Sequence, residues 1–148
     1  MAPPRVVVDT NVWVSAFLNP RGYPARLILR WRAGDLRVVT SPPLLDELAR
    51  VLARPRLQRV RPFTDTEARL YLLMIQAGAE VVTPTGQLRI CRDASDDLVL
   101  ETALLGRARY LVSRDADMIR DLSLVRLFAK PGVRIATVQQ FLRLLASK

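Results

Sequence analysis

Apolar residues along this chain fall into two rhythms. Short runs such as Val6-Val7-Val8 and Tyr110-Leu111-Val112 lack polar alternation, as strands buried on both faces of a parallel sheet do. Longer stretches repeat at helical period, and the two patterns take turns. Strands are predicted near 5–8, 37–40, 80–82, 110–112 and 133–136. Helices are predicted at 11–18, 24–33, 43–53, 64–77, 95–107, 116–121 and 138–146. Pro42-Pro43 suits a helix start, and Gly34, Gly78 and Gly106 suit helix ends. No internal repeat or low-complexity tract interrupts the series. The alternation predicts an α/β fold whose parallel sheet is covered on both faces. Right-handed crossovers then bring several strand ends to one edge.

Length and composition fit a single domain over 1–148: half of the residues are hydrophobic, enough to bury a core. There is no run of eighteen apolar residues, so no membrane span is expected. Met1-Ala2-Pro3-Pro4 leads straight into the first strand, so no signal peptide is expected either. One cysteine, Cys91, rules out an internal disulfide and suits a reducing cytoplasm. The chain contains no histidine. That excludes Ser-His-Asp and Cys-His catalysis, histidine acid–base pairs and zinc sites built on histidine. Polar chemistry must come from carboxylates, hydroxyls, arginines or a bound ion.

Charge points outward. Twenty-three basic against fourteen acidic residues leave +9, the footprint of a polyanion binder. Arg50, Arg54, Arg56, Arg59 and Arg61 form the densest stretch and are the candidate nucleic-acid contacts, since guanidinium forks suit phosphate. Only Lys130 and Lys148 are lysines, and such a skew also arises from codon composition.

The acids, though outnumbered, are not spread evenly. Half of them lie between Asp93 and Asp121, which means either surface ion pairing or ligands collected for a hard cation such as Mg²⁺ or Mn²⁺. Asp9 ends the first strand, where open α/β sheets place their ligands; its competing role is a plain helix cap. Ser113-Arg114-Asp115-Ala116-Asp117 follows the fourth strand in the same manner. Asp96-Asp97 open a helix that is apolar nearly all round from Leu98 to Leu105 and is therefore expected to be buried, with its dipole favouring ionised acids in the first turn. On the 43–53 helix, Leu44, Leu45, Leu48, Val51 and Leu52 define an apolar face. Glu47 falls about 100° from its centre and Asp46 about 160°. Glu47 thus sits at the core boundary while Asp46 faces solvent, although pairing with Arg50 or Arg54 would equally suit an exposed glutamate.

Four segments in series resemble the PIN-domain ribonucleases: Val7-Val8-Asp9-Thr10-Asn11, Leu45-Asp46-Glu47-Leu48, Asp96-Asp97-Leu98-Val99-Leu100-Glu101-Thr102-Ala103 and Leu111-Val112-Ser113-Arg114-Asp115-Ala116-Asp117. More narrowly, they resemble the branch described as toxin components of toxin–antitoxin systems. The resemblance implies a three-layer α/β/α sandwich around a mostly parallel sheet of about five strands. It implies an acidic, metal-binding and catalytic quartet of Asp9, Glu47, Asp97 and Asp115. Thr10, Asn11 and Ser113 match supporting positions. Asp97 is taken over Asp96 because it stands four residues before Glu101, and Asp115 over Asp117 because it is nearer the strand end, with Asp117 in support.

Four crowded carboxylates are tenable in ionised form when divalent cations neutralise them. Mg²⁺ or Mn²⁺ there can activate water against a phosphodiester without histidine. The expected activity is metal-dependent cleavage of RNA in the cytoplasm. The resemblance further implies a homodimer and an antitoxin partner, and Leu70, Leu72, Leu73, Met74 and Ile75 are a candidate apolar surface for either. A non-catalytic nucleic-acid-binding module and a DNA-directed nuclease are the competing readings. A phospho-accepting receiver fits less well, since Glu80-Val81-Val82 runs into Thr83-Pro84 where a receiver carries its aspartate. A haloacid-dehalogenase-type phosphatase wants an acid at position 11, which is Asn.

Overall fold

The computed structural model describes residues 2–115 and 119–147. Five strands form one all-parallel sheet: β1 (Arg5–Val8), β2 (Arg37–Thr40), β3 (Glu80–Val81), β4 (Tyr110–Ser113) and β5 (Arg134–Thr137), in the order β3-β2-β1-β4-β5. The helices delimited among the described residues are α1 (Thr10–Leu18), α2 (Tyr23–Arg32), α3 (Pro42–Leu52), α4 (Leu57–Val60), α5 (Asp65–Gly78), α6 (Ala94–Leu105), α7 (Leu122–Ala129) and α8 (Val138–Ala146). Every predicted strand is present, with ends shifted by a residue at most. The pattern missed α4 and α7: α4 is a single turn, and the apolar run of α7 is too short to show a period. The predicted helix at 116–121 begins outside the described residues.

Alternation along the strands builds two cores. Val6, Val8, Val38 and Val112 point to one face and pack with Val12, Trp13, Leu27, Leu48, Ile75 and Phe141 from α1, α2, α3, α5 and α8. Val7, Val39, Leu111 and Ile135 point to the other and meet Val99, Leu100, Ala103 and Phe128 from α6 and α7. Both faces of the central strands β1 and β4 are dry, which is why their apolar runs lack polar alternation, whereas the edge strand β3 is exposed. The result is the expected three-layer α/β/α arrangement. The aromatic residues Trp13, Trp31, Phe17 and Tyr71 make edge or tilted contacts with one another in or against the first core, as expected of packing rather than stacking groups.

The order places a switch point between β1 and β4, from which the chain winds in opposite directions across the sheet. Ligands of open α/β sheets bind in such a crevice, outside the carboxyl ends of the strands. Register makes the two ends flush: Val8 pairs with Val112, and the Asp9 amide donates to the Val112 carbonyl at 2.9 Å. Asp9 and Ser113 therefore leave the sheet side by side.

Opposite them, the stretch from β3 to α6 has no repeating structure of its own. Two acids of α6 hold it. Glu101 accepts from the amides of Thr85 (2.6 Å) and Gly86 (3.1 Å) and from the Thr85 hydroxyl (2.8 Å). Asp97 accepts from the amides of Cys91 (2.7 Å) and Ile90 (3.0 Å). The middle of α6, from Val99 to Ala103, is buried as predicted, but Leu104 and Leu105 at its end are exposed. No helix among the described residues is long and apolar enough to cross a membrane.

Candidate active site

Asp9 caps α1 and lines the candidate site. Its Oδ1 accepts from the Thr10 amide at 2.9 Å, and its Oδ2 accepts from the Ser113 hydroxyl at 2.8 Å. Ser113 is fully buried, and its oxygen in turn accepts from the Asp115 amide at 3.0 Å and from Asn11 Nδ2 at 3.4 Å. Having spent its one proton on Asp9 and its lone pairs on two donors, Ser113 fixes how the Asp9 carboxylate faces. Asn11 completes the clamp by accepting from the Arg114 amide at 3.1 Å, which ties α1 to the end of β4. Burial is the main reason the Asp9 carboxyl is pushed above the usual carboxylate range; the Ser113 and Thr10 hydrogen bonds oppose this, and the charge of Asp115 adds to it.

A cavity of about 500 Å³ opens at this edge. Asp9, Glu47, Asp93, Asp96 and Asp115 line it, with Arg54 and Arg56 at its wall. Asp96 is raised above the usual range by burial and then by the charges of Asp93, Asp9, Asp115 and Asp97, so acids from three elements feel one another across the opening. Glu47 is half-buried and reaches the cavity from α3 while Asp46 is exposed, as the helical wheel predicts.

The geometry sets the two adjacent acids apart. Asp97 does not line the cavity; its carboxylate points into the Ile90–Cys91 backbone, whose amides hold it below the usual range. Asp96, one position earlier and so about 100° round the helix, is the acid that faces Asp9. Asp93 was not foreseen as a lining residue. It caps α6 by accepting from the Ser95 amide (3.0 Å) and hydroxyl (2.9 Å), which lower it, and an Asp-x-Ser before an apolar helix is the signal that would have found it. Asp117 lies outside the described residues. Asp121 caps α7 through the Leu124 amide at 3.2 Å. Much of the acidic stretch is thus architectural.

The arginine stretch divides as well. Arg54 and Arg56 line the acidic cavity, Arg50 lines a neighbouring depression that shares Glu47 with it, and Arg59 is exposed. Arg61 is committed elsewhere. Its guanidinium lies 4.9 Å from the Phe17 ring and donates to the Phe17 carbonyl at 3.0 and 3.2 Å, so it staples α4 to α1 rather than facing solvent. Cys91 is half-buried beside the site, its thiol pushed up to about 12 by burial and then by Asp97.

Among the described residues, no three of these acids form a ready-made coordination shell. The donor set still suits a hard ion. Every lining acid is an oxygen donor, and Mg²⁺ is commonly held through one or two carboxylates while it keeps several waters. Two acids pushed up by burial and mutual repulsion are what a dication would relieve.

A parallel α/β sheet with acids converging at its switch point defines the class, and the sequence comparison agrees. Residues 5–117 match the PIN domain, and the chain belongs to the PIN domain family. PIN domains are typically nucleases, bind nucleic acid and generally use divalent metal ions. The matched span contains every acid lining the cavity. An uncharacterized protein of Methanocaldococcus jannaschii is 27% identical over 117 residues, covering 78% of this chain and 73% of that protein.

Proposed function

We propose that this protein is a metal-dependent endoribonuclease whose catalytic acids are Asp9, Glu47, Asp96 and Asp115. The observation that carries the proposal is the meeting of Asp9, Asp96 and Asp115 in one cavity at the β1–β4 switch point, with Glu47 reaching it from α3. Mg²⁺ or Mn²⁺ would be held by one or two of Asp9, Asp96 and Asp115 together with waters, and when bound it supplies a more acidic water and an anchor for a phosphate oxygen. Ser113 and the Thr10 amide orient Asp9 for that task. Glu47, half-buried at the cavity wall, takes the proton from the attacking water. Arg54 and Arg56 hold the flanking phosphates and so offset the negative field of the acids. The toxin role, an antitoxin partner, a homodimer and a cytoplasmic setting accompany this reading through the toxin branch that the motifs resemble. Of the apolar surface considered for such partners, Ile75 is core, while Leu70 and Leu73 are exposed.

The test is cleavage of end-labelled RNA and DNA of one sequence with Mg²⁺, with Mn²⁺ and with chelator. Wild type cuts RNA only with metal, and Asp9→Asn and Asp96→Asn abolish cutting. Cleavage in chelator overturns the mechanism, and cutting of DNA alone changes the substrate class.

A further inference from the structure

The acidic cavity does not end at Asp9. Ser15, one of its lining residues, also lines a second cavity of about 380 Å³, and Tyr23 and Gln139 of that cavity line a third of about 640 Å³ between α2 and α8. Sharing these residues, the three cavities adjoin in series. Their character changes along the way: acids crowd the first part, and no acid lines the other two. Arg114 stands in the middle part, tied to the Ser15 hydroxyl. Arg26, Arg30 and Arg143 border the far part, over a floor that includes Leu29 and Leu142. Tyr23 sits where the second and third parts join, 47% exposed, with the Arg26 guanidinium 5.0 Å from its ring centre.

We infer that the three adjoining cavities form one groove, the track of a single-stranded nucleic acid leading to the acidic cavity, with Tyr23 stacked on a base and Arg26, Arg114 and Arg143 on phosphates. The inference rests on the nuclease reading and adds to it a binding site remote from the acids. An exposed aromatic ring among arginines, with a partly apolar floor, is the composition that binds single strands, because every base has a face to stack and every nucleotide a phosphate. Arg30 contributes less, since Asp35 pairs with it at 2.6 Å. The cation–π contact holds the Tyr23 ring against Arg26, so a base meets a partly ordered platform. Beyond the acidic part, whose wall carries Arg54 and Arg56, the arginines of the track come from outside the dense stretch at 50–61 to which the sequence points.

The test measures binding of fluorescein-labelled single-stranded RNA by anisotropy, using the Asp9→Asn protein in Mg²⁺ so that the probe stays intact. Lengths of roughly 4, 8 and 12 nucleotides span the site sizes such grooves show. Affinity rises with length, and Tyr23→Ala in the same background weakens the longer probes by about 5- to 150-fold. Arg26→Ala with Arg143→Ala lowers the salt slope by about 1.4, two contacts at the single-strand value. All three positions are exposed, and circular dichroism checks that the variants fold. Binding with no change in length dependence or salt slope in either variant overturns the track and leaves the nuclease reading standing. No binding of any probe, together with no cleavage by wild type, overturns that reading. A change in sedimentation without a change in affinity makes the groove an interface between two copies and refutes the inference.

Discussion

Alanine at Gly106 tests how tightly the fold holds the acidic cavity together. Gly106 caps the end of α6 at φ −84° and ψ 0°, a conformation open to any residue, so its backbone does not require glycine. Space does. A Cβ there would lie 2.1 Å from Val39 Cγ1 and 3.0 Å from its Cβ and Cγ2, whereas carbon atoms rest at about 3.5–4.0 Å. Val39 is fully buried in β2, in register with Val7 of β1 and Glu80 of β3, and has nowhere to retreat. Overpacking of this kind costs about 1–3 kcal/mol, and the short approach favours the upper part of that range. Replacing glycine returns about 0.4–1 kcal/mol through the unfolded chain. Gly106→Ala should therefore lose roughly 1–2.5 kcal/mol, a fall in melting temperature of roughly 2–10 °C at this chain length. Val39→Ala alone removes two methyl groups, worth about 1.6 kcal/mol before any cavity cost. In the double variant the new methyl occupies the space vacated by valine, so the two losses should fall short of their sum by about 1 kcal/mol or more. Urea unfolding of the four proteins measures this. Additive losses, or a Gly106→Ala protein as stable as wild type, would refute the packing argument. The contact also locks α6, which carries Asp93 and Asp96, to the strand that leads into the Glu47 helix. Gly106→Ala should accordingly slow cleavage even well below its melting point.

Other perturbations separate the roles of neighbouring polar groups. Ser113→Ala removes a hydrogen bond to a largely buried carboxylate, so about 1.5–3 kcal/mol of stability should go and cleavage should fall about 10- to 100-fold through misoriented Asp9, as calorimetry and initial rates would show. Asp9 and Asp96 are raised in the folded protein, so the native state binds protons more tightly than the unfolded chain above the ordinary value of 3.8. Their favourable contribution is present at and below that value and is lost as pH rises through the raised values. Asp93, Asp97 and Glu101 are lowered and act with the opposite sign, so the informative quantity is the difference between Asp9→Asn and wild type. In chelator the variant should gain on wild type as pH climbs from 3.8 to neutrality, and Mg²⁺ should shrink the gap. A gap that does not move with pH would mean that Asp9 ionises without penalty. Asp97→Ala should free the Ile90–Cys91 backbone, so that a thiol reagent labels Cys91 faster than in wild type. Unchanged labelling would show that Asp97 does not hold that segment.

Much of this molecule is local enough to be legible in the chain. Short valine runs without alternation suit strands with two dry faces, and their interleaving with helical periods leaves a parallel sheet as the economical solution. An acid directly after such a strand lands on the ligand edge, so Asp9 and Ser113 are placed by chain order alone. Glu47 follows from periodicity, because its angle to the leucine face is an intrinsic property of α3. The absence of histidine confines the chemistry to oxygen donors under any fold.

Tertiary structure decided what depends on two segments meeting. Asp96 and Asp97 are equivalent in composition and adjacent in order; only the way α6 lies under the sheet turns one to Asp9 and the other to the Cys91 amide. Arg61 has the same chemistry as Arg54, yet Phe17, 44 positions earlier, takes its guanidinium out of solvent. The groove toward Tyr23 joins residues from α1, α2, the end of β4 and α8, which no window of sequence brings together. Backbone preference and hydrophobic period act over a few residues, whereas the direction of a charged side chain is set by whichever distant donor can satisfy it once the core has closed.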